Sequence, residues 1–80
     1  MLRFRLKELI AEREFQTGKR VTMEEIAKST GIHRTTLSKI ANQRGYNTTT
    51  DNLDKLCAFF DCSIDQIVEY VPDKNLKQAP

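Results

Sequence analysis

The 80-residue sequence predicts an all-α fold, a compact domain of five short helices. Three observations predict it. Apolar residues recur at the three- and four-residue spacing of a helix face through nearly the whole chain. Cap signals stand ahead of several of these stretches. Glycine or proline stands where three of them end, at Gly18, Gly31 and Pro72.

The first helix is expected from about Leu2 to Glu14, with Leu2, Leu6, Leu9 and Ile10 on one face, and Phe15-Gln16-Thr17-Gly18 breaks it. The second opens on the clearest start signal in the chain. Thr22 caps it, Glu25 completes a capping box, and Val21 and Ile26 are spaced as a hydrophobic staple. It runs to Ser29 or Thr30 and stops at Gly31. The third follows from a cap at His33, with Ile32 and Leu37 as a second staple. Its apolar face is Leu37, Ile40 and Ala41, and its other face carries Arg34, Thr35, Ser38, Lys39 and Asn42. Residues 43–48 read as a loop. The fourth begins near Thr50, capped by Thr48, Thr49 or Thr50, and buries Leu53, Leu56, Cys57 and Phe60. The fifth is signalled by Ser63 with Gln66, carries Ile64, Ile67, Val68 and Val71, and ends at Pro72. No strand, repeat or low-complexity segment is expected. Residues 1–72 form the domain and 73–80 a flexible polar tail.

The net charge is only +2, but it is unevenly spread. Residues 1–45 carry ten bases against five acids, and residues 46–80 carry three against six. No acid occurs from Ile26 to Thr50, while Lys28, Arg34, Lys39 and Arg44 recur there. A basic front half on a small domain suggests an anionic partner, nucleic acid first.

Other classes fall away. Eighty residues make one modest core with little room for an enclosed active site. His33 is the only histidine, and Cys57 and Cys62 stand far from it in the chain, so no nucleophile–base set is visible. Two cysteines do not supply the roughly four ligands of a zinc site. No apolar run approaches the ~20 residues that span a bilayer. The N-terminus alternates charge with apolar residues, unlike a signal peptide. A cytoplasmic protein is expected, with both cysteines reduced. Neither catalytic residues nor a metal, cofactor or small-molecule ligand is expected.

Two short helices joined through Thr30-Gly31-Ile32-His33 form the layout of a helix-turn-helix. The run TMEEIAKSTGIHRTTLSKIANQR (22–44) resembles the DNA-binding motif of the Cro/phage-repressor (XRE, lambda-repressor-like) family. The matching residues are Ile26-Ala27, Thr30-Gly31-Ile32, Thr36-Leu37-Ser38 and Ile40. Residues 53–73, LDKLCAFFDCSIDQIVEYVPD, are similar to the end of small single-domain members. The resemblance covers roughly Leu2 to Asp73. It implies a lambda-repressor-like fold, double-stranded DNA as partner and a role as a bacterial or phage-encoded transcriptional regulator. Some positions depart from the family pattern. His33 replaces the usual Ser or Thr cap, Met23 stands where Gln often meets phosphate, and Ala41-Asn42-Gln43 replaces a common Glu-Asn-Gly.

In a helix-turn-helix the second helix enters the major groove with its N-terminal residues at base edges. The expected base-reading residues are therefore Arg34, Thr35, Lys39 and Ser38. Arg34 leads, because its planar fork matches guanine O6 and N7. The expected phosphate contacts are Thr22, His33, Thr36, Asn42, Arg44 and Tyr46, which position the protein without reading sequence. Arg3, Arg5 and Lys7 read as a solvated face. Repression is expected from size, and a homodimer because one short reading helix contacts few base pairs, with a dimer surface on the fifth helix and around Tyr70. The rival reading is a protein-interaction module of the same fold, antitoxin-like or an adaptor, with weak or no operator binding.

Overall fold

The computed structural model describes residues 1–72. In chain order it has strand β1 (Leu2–Phe4), helices α1 (Leu6–Thr17), α2 (Met23–Thr30), α3 (Arg34–Asn42), α4 (Thr50–Phe60) and α5 (Ile64–Ile67), and strand β2 (Val68–Tyr70). The five helices stand as expected from the periodicity. The polar tail expected at 73–80 lies outside the described residues.

Three boundaries are corrected. The first helix begins at Leu6 rather than Leu2, because Leu2–Phe4 pairs antiparallel with Val68–Tyr70. The fifth ends at Ile67 rather than Pro72, for the same reason. The expectation of no strands is overturned by this two-stranded sheet. Its ladder places Leu2 opposite Tyr70, Arg3 opposite Glu69 and Phe4 opposite Val68. Beyond it, the backbone of Met1 and Val71 exchanges two hydrogen bonds of 2.9 and 2.8 Å. The Arg5 N–H donates to the Ile67 carbonyl at 2.8 Å, fastening the start of α1 to the end of α5. The third correction is smaller: α1 continues through Phe15 to Thr17 before Gly18 ends it in the left-handed conformation, φ 70°. Phe15 is thereby left on a helix surface, 85% exposed.

Caps explain the other boundaries. The Glu25 N–H donates to Thr22 Oγ1 at 3.1 Å, and the Asn52 N–H donates to Thr49 Oγ1 at 3.1 Å. Thr49 is therefore the cap of α4. At α5 the Gln66 side chain accepts from the Ser63 N–H at 2.9 Å. His33 occupies the cap position of α3, but its side chain makes no capping hydrogen bond. An imidazole is larger and less suited to reach back to the first-turn N–H groups than the hydroxyl it replaces. Thr22→Ala is expected to cost about 1 kcal/mol, read as a lowered urea midpoint at unchanged slope.

One core gathers the helices. Leu6, Val21, Ile26, Ile32, Leu37, Ile40, Leu56, Phe60 and Ile67 are buried. Both expected staples are inside it, Val21 with Ile26 and Ile32 with Leu37. No charged or polar residue is buried among the described residues.

Candidate nucleic-acid interface

The turn between α2 and α3 is set by a few atoms. Gly31 adopts φ 77°, and its N–H donates to the Ala27 carbonyl at 2.8 Å. Thr30 Oγ1 donates to the Ile26 carbonyl at 2.7 Å and accepts from the Ile32 N–H at 3.2 Å. A side chain at position 31 would meet no steric obstacle, so the glycine is required by its backbone conformation alone. This hydrogen-bonded corner delivers Ile32 to the core and starts α3 two residues later.

The nine residues of α3 divide cleanly. Leu37 and Ile40 are buried, and Thr36 and Ala41 are half-buried. Arg34, Thr35, Ser38, Lys39 and Asn42 are exposed, on one continuous helix face. All four expected base-reading residues are thus on that face. No side chain caps the N-terminus of α3, so its first N–H groups are left to solvent or a ligand.

The expected phosphate contacts are more scattered. His33 is exposed at the start of α3, and Thr22 is exposed at the start of α2. Thr36 is partly withdrawn into the helix packing. Asn42 folds back on its own helix, its Nδ2 donating to the Ser38 carbonyl at 3.0 Å and lying 3.4 Å from Ser38 Oγ. Arg44 is exposed in the loop after α3, while Tyr46 is half-buried against the core.

The fold adds two features that the linear sequence hides. Glu24 Oε2 lies 3.9 Å from Arg34 Nη1, although the two are ten positions apart in the chain. The acid-free run is therefore not an acid-free surface. Both side chains are well exposed, so the pair is weak. Yet Glu24 and Glu25 occupy the first turn of α2, where they satisfy the positive helix end that would otherwise favour a phosphate. Glu24→Gln is expected to tighten binding to duplex DNA several-fold at low salt, an effect that fades as salt rises. Equal affinity of the variant and the parent at low salt would show that Glu24 faces away from the duplex.

The second feature is an open cleft between β1, the first turn of α1 and the loop behind α3. Arg3, Lys7, Asn42, Gln43, Arg44 and Gly45 all line it. Arg3 is held there by Glu8 at 2.8 Å and Glu69 at 3.3 Å. Lys7 reads from the sequence as part of a solvated face, but it lines the same cleft as Arg44, which follows α3. Only the packing of α1 against α3 puts both on one cleft, so local sequence carries no signal of it.

None of the described residues forms a cluster of acids, histidines and cysteines able to hold a metal ion. No described helix is long and apolar enough to cross a membrane. Among curated proteins no relative matches the chain. The family model of the Cro/C1-type helix-turn-helix DNA-binding domain matches residues 5–73, nearly the whole chain. With a turn-linked helix pair anchored in the core by Ile26, Leu37 and Ile40 and one polar helix face outward, this protein belongs to the Cro/C1-type helix-turn-helix DNA-binding family.

Proposed function

We propose that the protein is a transcriptional repressor that binds an operator as a homodimer, with α3 in the major groove. The observation that carries this reading is the exposed face of α3. Arg34, Thr35, Ser38 and Lys39 share it, no acid of α3 interrupts it, and the opposite face is anchored by Leu37 and Ile40. A rigid, basic, solvent-facing helix is what base recognition needs. Arg34 and Lys39 reach base edges, Thr35 meets a base or a thymine methyl, and Ser38 lines the groove wall. Arg44, His33, Thr22, Thr36, Asn42 and Tyr46 supply donors to the flanking phosphates, with Lys7 added from the cleft beside Arg44.

One short helix reads few base pairs, so useful specificity calls for two on half-sites about 34 Å apart. Leu2 and Tyr70 support a self-association surface. They lie opposite each other in the two-stranded sheet and are 51% and 67% exposed, an unusual exposure for an apolar cross-strand pair. Phe59 contributes less to such a surface, because its ring is covered by Arg13 at 5.0 Å and packs edge-on against Phe60 at 4.9 Å.

Titration of a labelled random duplex at low and moderate salt tests the DNA reading. Salt-dependent binding is expected, with affinity falling steeply as counterion release loses its driving force. No binding at micromolar protein in low salt would favour the interaction module instead. Selection of bound duplexes from a random pool then tests the dimer, which requires a two-fold symmetric consensus.

A further inference from the structure

The carboxyl end of α4 closes in a Schellman motif. The Cys62 N–H donates to the Cys57 carbonyl at 3.0 Å, and the Asp61 N–H donates to the Ala58 carbonyl at 3.3 Å. Asp61 takes the left-handed conformation, φ 52°, that the motif requires. This geometry sets the side chain in the last helical turn against the one just beyond the helix, usually as an apolar contact. Here both positions hold cysteine. The Schellman closure sets these two side chains against each other across the turn. Both are free and partly exposed, and both are packed at the margin of the core. Neither is on the exposed face of α3.

We propose that Cys57 and Cys62 form an oxidative modification site, a dithiol that a peroxide converts to an intramolecular disulfide. In the first step a thiolate attacks the peroxide. The O–O bond breaks, an S–O bond forms, and hydroxide leaves to take up a proton as water. The neighbouring thiol then attacks the sulfenic sulfur. The S–S bond forms, the S–O bond breaks, and a second water is released. Two thiols and one peroxide thus give one disulfide and two waters. The backbone from 57 to 62 is already closed by its own hydrogen bonds, so the second step needs little further ordering of the chain. Burial pushes the Cys62 thiol up, and Cys57, Asp61 and Asp65 around it push it further the same way. Cys62 therefore stays protonated at neutral pH. Closure accelerates as pH rises into the thiol range, because the thiolate is the nucleophile.

The test treats the reduced full-length protein with a small excess of hydrogen peroxide and then alkylates the remaining thiols. The expected product has lost two hydrogens by intact mass, and neither cysteine is alkylated. It shows no cross-linked dimer on a denaturing gel and is restored by dithiothreitol. The rate is expected to be several-fold higher at about pH 9 than at about pH 7. Cys57→Ser and Cys62→Ser should each take up oxygen at the remaining sulfur instead. The proposal is overturned if the parent protein gains oxygen at each cysteine independently. It is equally overturned if the two cysteines cross-link separate chains, or if both stay open to alkylation after the peroxide is consumed.

Discussion

Leu37→Ala is expected to destabilise the domain by about 2–5 kcal/mol. Leu37 is 0% exposed at the centre of α3, packed in the single core with Ile26, Ile40 and Leu56. Truncation removes its burial and leaves a cavity that a well-packed neighbourhood only partly fills. A domain of this size holds roughly 4–12 kcal/mol in total, so the loss is a large share of its stability. Thermal unfolding should move down by on the order of 10 °C or more. DNA binding should fail as the protein unfolds, and return on cooling if folding is reversible. Leu37→Met keeps most of the volume and should cost less than about 1.5 kcal/mol. If Leu37→Ala unfolds at the parent's temperature, α3 is not anchored through this side chain.

Arg34→Ala is expected to cost about 1–3 kcal/mol of operator affinity while leaving stability almost unchanged. The side chain is 70% exposed and contributes little to the core, so its loss is a binding effect. A bidentate guanine contact predicts that preference is relaxed at one base pair of each half-site. A uniform loss across all sequences would reassign Arg34 to the phosphate backbone. The neighbouring Glu24 supplies an independent check. If it weakens binding partly by holding Arg34, then Glu24→Gln should tighten binding less in the Arg34→Ala background than in the parent. The double-mutant cycle measures that coupling directly.

The residues on α3 are legible in the sequence because amphipathic periodicity assigns both faces at once. Burying Leu37 and Ile40 forces Arg34, Thr35, Ser38 and Lys39 outward, whatever the rest of the chain does. The same local logic found Thr22 as a working cap and Gly31 as the left-handed turn. It failed at His33, which occupies the cap position without making the bond, because a one-dimensional pattern does not report side-chain reach.

The ends of the domain depart from the periodic pattern for a different reason. Ile64, Ile67, Val68 and Val71 satisfy a helical spacing, and Leu2 extends the face of α1 just as well. Short apolar runs fit helix and strand alike, and the decision rests on pairing between segments more than sixty residues apart. Glu24 beside Arg34 and the cleft shared by Lys7 and Arg44 are the same kind of fact, since both depend on how two helices pack. The sequence by itself determined the five helices, the caps at Thr22 and Ser63 and the polar face of α3, because these follow from contacts within a few residues. Tertiary structure alone decided the terminal sheet, the acid beside Arg34 and the cleft that Lys7 shares with Arg44. Each joins distant segments, set by packing and not by local periodicity.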